Sequence, residues 1–371
     1  MNKRKNLPGI LLVLVVFLAF PIAGTLSQAE TISPQLAAAD SAGKTLWYDG
    51  TLLGVEGKGW ENTESYYDRL PAKAKGVVPA SVWNLGRHSA GMCFRFTTDS
   101  PSLSVRWTLR NPELAMPHMP ATGVSGVDLY EKDRAGKWRF TGNGRPTQAA
   151  NTATFSLTPG GEYILYLPLY NGVQSVELGI PRGMSLSRLA PSSNKRRKPV
   201  VFYGTSITQG GCVSRPGMAA TSIVSRALDT TVINLGFSGS GKMEPEMADL
   251  LVELDPSVYV LDCLWNMDPS MVSARLEPFV RKLRSAHPDT PILLVEDSSV
   301  KNTTPTEKGL ILRAIIVNLR KEKVKNIHFL SNKNMLGRDD EGTVDGCHPN
   351  DLGMMRQAEA FVKALRPIIG K

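Results

Sequence analysis

The chain has 371 residues, 42% hydrophobic and 21% charged, with a formal net charge of +9 and four cysteines. That length exceeds what one core usually fills, so two globular units are expected; four cysteines outside paired ligand spacing exclude a disulfide scaffold and a zinc ribbon. Part of the positive charge lies in the N-terminal basic residues and in Lys195-Arg196-Arg197-Lys198, a cluster without interleaved aromatics that reads as a solvated linker, so a nucleic-acid groove is not expected.

Lys3, Arg4 and Lys5 precede an apolar run from Ile10 to Phe20, a break at Pro21 and the small-residue stretch Ser27-Gln28-Ala29 ahead of Glu30. This order reads as a secretory signal peptide over residues 1–29. The run is short of the roughly 20 apolar residues a membrane helix needs, and no later segment reaches that length. Export to a periplasm or beyond, as a soluble protein without stable membrane insertion, is the expectation. No cysteine stands at the cleavage site, so no lipid anchor is expected there.

Residues 30–190 carry short alternating segments: Met92 to Thr97, Ser102 to Leu109, Val127 to Glu131 and Tyr163 to Leu167, separated by Gly, Pro, Asn and Asp. Period-two alternation between turn residues predicts an all-β sandwich of jelly-roll type. After a linker at 191–198 the texture changes. Apolar runs at Pro199 to Tyr203, Thr231 to Leu235, Ser257 to Leu261, Pro291 to Val295 and Asn326 to Leu330 alternate with amphipathic stretches at Gly217 to Leu228, Glu244 to Glu253, Met271 to Ala286 and Glu307 to Lys323. That alternation predicts an α/β unit over 199–371, a parallel sheet covered by helices on both faces. Its active site belongs at the carboxyl ends of the strands.

Ser206 follows the first of these strands and stands among Gly204, Gly210 and Gly211, which permit a sharp turn and close substrate approach. By itself such a segment is better explained by helix capping. Asp345 and His348 change the balance. They lie three residues apart, and Pro349 disfavours helix at His348. A serine hydroxyl needs an imidazole to take its proton and a carboxylate to fix that imidazole's tautomer, so Ser206, Asp345 and His348 are the candidate catalytic residues. The other histidines, His88, His118, His287 and His328, read as structural. Oxyanion donors are available from the Gly-rich turn Asn234 to Gly239 and from the amide of Asn266.

The residues resemble the SGNH hydrolases, or GDSL-like esterases, whose serine, glycine, asparagine and histidine blocks fall here on Ser206, Gly239, Asn266 and His348. The resemblance implies a flavodoxin-like three-layer fold, oxyanion donation from the Ser206 and Gly239 backbones and the Asn266 side chain, and Asp345 orienting His348. Gly204-Thr205-Ser206 stands where many members have Gly-Asp-Ser, and Leu264-Trp265-Asn266-Met267 where many have Gly-x-Asn-Asp. Both variants resemble a subgroup with an upstream β-sandwich carrying Gly-x-Asp-Leu-Tyr, and this chain has Gly126-Val127-Asp128-Leu129-Tyr130.

The expected activity is metal-independent, cofactor-free hydrolysis of a carboxylic ester through an acyl-enzyme, with a glycan acetyl ester as substrate and Trp265 and Arg215 as sugar contacts. A lipid esterase and a non-catalytic carbohydrate-binding protein are the alternatives. A metallohydrolase using Asp345 and His348 as ligands is disfavoured because no other histidine or cysteine is spaced in sequence to complete its site. A Cys212–Cys347 disulfide stays open at this stage.

Overall fold

The computed structural model describes residues 29–189, 198–298 and 305–370. Residues 1–28 of the signal-peptide reading and most of the 191–198 linker lie outside them, while Ala29, the last residue of that reading, pairs with Leu189 in a strand.

The first half builds two antiparallel sheets. One runs in the order 29–31, 186–189, 93–98, 161–166, 127–132 and 138–144; the other in the order 38–39, 45–49, 173–181, 102–109 and 150–156. In Ser102–Leu109 the alternation is literal: Leu103, Val105, Trp107 and Leu109 are buried while Arg106 between them is exposed. Successive side chains of a strand point to opposite faces, so this spacing delivers one apolar row into a core shared with Phe94, Phe96, Tyr163 and Leu165 of the facing sheet.

The second half is a five-stranded parallel sheet: β1 (Val200–Gly204), β2 (Val232–Gly236), β3 (Val258–Asp262), β4 (Ile292–Val295) and β5 (Ile327–Leu330), in the spatial order β2-β1-β3-β4-β5. That is the flavodoxin-like order, with its switch point beside β1. Every residue of β1 to β4 is buried, which is why these strands read as unbroken apolar runs. Val201 and Tyr203 face a layer containing α3 (Pro245–Leu251), α4 (Pro269–Ala286) and α5 (Glu307–Lys321), whereas Val200 and Phe202 face α2 (Ala220–Leu228) and α6 (Asp351–Ile369). The four-residue α1 (Ser206–Gln209) leads out of β1. The last helix, α6, is not among the expected elements, although Met354, Ala358, Phe361 and Leu365 place a buried row along it at helical spacing.

Chain order and packing part company over a long segment. Residues 67–90 belong in sequence to the sandwich half, yet Leu70, Ala74, Val78, Val82 and Trp83 are buried in the same core as Val201, Tyr203, Ile233 and Leu235 of the parallel sheet. Buried Arg69 donates to the carbonyls of Leu85 at 2.7 Å and His88 at 2.9 Å, and to those of Gly236 at 2.8 Å and Asn234 at 3.0 Å, so one guanidinium pins the end of β2 to the first half of the chain. Among the described residues no helix is long and apolar enough to cross a membrane.

Candidate active site

β1 ends at Gly204, and Thr205 caps α1 by accepting from the Ile207 N–H at 3.2 Å. Ser206 is thus the first residue of this short helix, at the carboxyl end of the sheet, and only 7% exposed. Gly210, at φ +108°, stops the helix in a left-handed conformation. Gly236 on β2 makes room for the turn: a Cβ there would lie 2.1 Å from the Gln209 nitrogen.

His348 reaches the nucleophile from a loop whose Val344 N–H donates to the His348 carbonyl at 2.9 Å. Asn350 then caps α6 by accepting from the Gly353 N–H at 3.0 Å, and Asp351 accepts from the Ser214 N–H at 2.8 Å, tying this loop to the one after Ser206. The Ser206 hydroxyl lies 2.9 Å from His348 Nε2, and His348 Nδ1 lies 2.7 Å from Asp345 Oδ2. Oδ1 of Asp345 accepts from the His348 N–H at 2.7 Å and the Cys347 N–H at 2.9 Å. Partial burial raises the Asp345 carboxyl, but these bonds and the imidazole outweigh it and hold it down at about 2. An ionised carboxylate on Nδ1 keeps the proton there and leaves the Nε2 lone pair directed at the hydroxyl.

The Gly239 turn is braced from below. Gln209 donates from Nε2 to the Leu169 carbonyl at 3.0 Å and to His88 Nδ1 at 3.1 Å, while its Oε1 accepts from the Ser238 N–H at 3.1 Å. Burial, with the nearby charges of Arg69 and Arg110, drives His88 down to about 3, so it is a neutral acceptor. Gly239 itself has φ +66° and open space where a side chain would stand. Asn266 does not match its expected placement: its amide donates to the carbonyls of Phe237, at 3.4 Å, and Ser240, so here it braces the Gly239 turn instead of presenting free hydrogens to an oxyanion.

Three comparisons bear on identity. Residues 197–366 match the GDSL-like lipase/acylhydrolase family, and residues 45–186 match the N-terminus of SGNH-hydrolase-type esterases. A GDSL-like lipase from Bacteroides ovatus is 34% identical over 88% of this chain and 98% of its own, with a TM-score of 0.81. This protein belongs to the GDSL-like lipase/acylhydrolase family. As an SGNH-type enzyme it is a carboxylic ester hydrolase. Two further structures share its fold at lower identity: the salicylyl-acyltransferase SsfX3 of a tetracycline biosynthetic pathway (19%, 92% of this chain and 97% of its own, TM-score 0.68) and a family two carbohydrate esterase from Cellvibrio japonicus (14%, 88% and 98%, TM-score 0.56). No curated protein matches the chain.

Both expected sugar contacts of this GDSL-like hydrolase are engaged elsewhere. Trp265 donates its indole N–H to the Ser298 carbonyl at 2.7 Å and lies under Lys308, 5.3 Å from the ring centroid. Arg215 donates to Asp128 Oδ2 at 3.0 Å and to the Tyr130 hydroxyl, and stacks 3.8 Å from the Phe140 ring. Asp128 Oδ2 also accepts from the Gly217 N–H at 2.8 Å, and Leu129 is buried in the sandwich core. The Gly-x-Asp-Leu-Tyr signature is therefore a latch: Leu129 anchors it, and Asp128 and Tyr130 grip the segment that follows the nucleophile.

Replacing Asp128 with Ala leaves a half-buried guanidinium unpaired and is expected to cost about 3–5 kcal/mol in chemical denaturation. Burial pushes this carboxyl from 3.8 up to about 6, against the pull of Arg215. Between those values the folded protein keeps a proton that the unfolded chain has lost, so the group favours folding below about pH 4 and progressively opposes it as the pH rises to about 6. Denaturation midpoints compared at pH 4 and 6.5 should fall less in Asp128→Asn than in the parent.

Two residues at the site carry no signal in the motifs. Tyr170, from the sandwich half, donates to the Ser206 carbonyl at 3.0 Å. His118, read as structural, stands at the tip of a tight turn with its ring centroid 5.8 Å from that of His348. The ligand atoms of His118, Cys212 and His348 lie within 4.8 Å of one another, as do those of Asp345, Cys347 and His348. Sequence spacing was the ground for dismissing a metal, and the fold removes that ground by bringing distant ligands together. All four cysteines are free thiols, so Cys212 and Cys347 are not joined.

Proposed function

We propose that this esterase is exported and removes a small acyl group, acetyl, from a carbohydrate by way of an acyl-enzyme on Ser206. The observation that carries the chemistry is the continuous relay of 2.9 Å from Ser206 Oγ to His348 Nε2 and 2.7 Å from Nδ1 to Asp345. Ser206 Oγ attacks the ester carbonyl as Nε2 takes its proton, and the imidazolium returns that proton to the leaving alcohol. A water molecule, deprotonated by the same nitrogen, then releases the acid. The backbone N–H groups of Ser206 and Gly239 serve the oxyanion of both tetrahedral intermediates, each such donor contributing about 2.7–4 kcal/mol. Asn266 joins them only by giving up a carbonyl of the Gly239 turn.

Support for the acyl group is the near-complete burial of Ser206, with the Tyr170 hydroxyl of the sandwich half 3.0 Å from its carbonyl; support for the sugar is the fold shared with a carbohydrate esterase. Export rests on the basic, apolar and small-residue order of residues 1–29. With chelator present, acetyl esters should be hydrolysed with kcat/KM roughly tenfold or more above octanoyl esters, and acetylated oligosaccharides should release acetate. Preference for the longer acyl chain would transfer the assignment to lipid esters.

A further inference from the structure

We propose that His118, Cys212 and His348 form an inhibitory site for a soft divalent cation, Zn²⁺, that stops the esterase by occupying the nitrogen which activates Ser206. The inference rests on the reading of His348 as the general base. Two imidazoles and a thiol are a donor set that favours Zn²⁺ over Mg²⁺ or Ca²⁺. Their ligand atoms already lie within 4.8 Å of one another. Tetrahedral bonds of about 2.0–2.3 Å to nitrogen and sulfur need separations of about 3.3–3.7 Å, so closure requires a movement of no more than about 1–1.5 Å.

The three ligands differ in how they are held. Cys212 is buried, with its backbone fixed at φ +74° after the nucleophile helix. His348 has Nδ1 on Asp345, the carboxylate–histidine arrangement that commonly backs a metal-bound imidazole. That leaves Nε2, which can bind the cation only by releasing the Ser206 hydroxyl. His118 lies at the exposed tip of a turn closed by the reciprocal Met116 and Met119 backbone bonds at 3.0 and 3.1 Å, and is the ligand able to close. The fourth position is left for water. Coordination replaces the thiol proton, so each Zn²⁺ bound sends one proton to solvent and leaves a thiolate on the metal.

The test uses the full-length mature protein with Zn²⁺ for inhibition and Co²⁺ as spectroscopic probe. One equivalent of Co²⁺ should give a thiolate-to-cobalt charge-transfer band in both the parent and Ser206→Ala, so binding is read independently of turnover. Zn²⁺ should abolish acetyl-ester hydrolysis, EDTA should restore it, and Mg²⁺ and Ca²⁺ should have no effect. Cys212→Ser should lose the band. His118→Ala, altered only at an exposed turn, should raise the inhibitory Zn²⁺ concentration by about tenfold or more relative to its own metal-free rate. Absence of the cobalt band, stimulation by Zn²⁺, or unchanged Zn²⁺ sensitivity in His118→Ala overturns the proposal. An esterase that fails to turn over but shows the band overturns the catalytic reading alone.

Discussion

Replacing Ser206 with alanine is expected to lower kcat for ester hydrolysis by on the order of 10⁶, with little change in thermal stability. The hydroxyl makes a 2.9 Å contact with His348 Nε2; the helix cap is supplied by Thr205, and the contacts of Tyr170 and Gly211 go to the Ser206 carbonyl, which alanine retains. The loss is thus chemical and not structural. Residual hydrolysis of about 10³ over water would persist from the oxyanion donors and substrate positioning. Release of acetate under single-turnover conditions measures the first effect, and a melting curve the second. A loss smaller than about tenfold would place the nucleophile elsewhere, and binding of a glycan that survives in the variant would measure recognition by itself.

The parallel sheet was legible because β1 to β4 are buried on both faces, which leaves an apolar run with little ambiguity, and because the helices between carry one apolar stripe each. Ser206 and His348 were legible because their blocks are local: a strand end with glycines, and an aspartate three residues before a histidine and proline. What sequence could not yield is whatever depends on a partner far along the chain. Arg215 and Trp265 read as free arms at a loop, but Asp128 lies 87 residues from the first and Ser298 lies 33 from the second. Residues 67–90 carry no sign that their apolar side chains cover another unit's sheet. Asn266 matched a block by spacing, while the direction of its amide is set by the carbonyls of Phe237 and Ser240. His118 reaches His348 across 230 residues of sequence, so only the docking of the two halves reveals it.

Asp345→Asn separates the carboxylate's electrostatic role from its structural one. The amide oxygen can still accept from the His348 and Cys347 N–H groups that hold the loop, so the backbone geometry should persist. Its NH₂ group, set against His348 Nδ1, then forces the proton onto Nε2, the nitrogen that must accept from Ser206. A wrong tautomer in a triad lowers kcat by about 10⁴, with KM little changed. The pH dependence follows from the same carboxylate. Because its folded value is depressed from 3.8 to about 2, Asp345 contributes stability that is fully present above about pH 4 and is lost as the pH falls towards 2; Asp345→Asn should lose this part of the acid sensitivity in denaturation midpoints measured at pH 3 and 7. Over the working range Asp345 remains ionised. A variant within about tenfold of the parent's kcat would mean that another group orients His348.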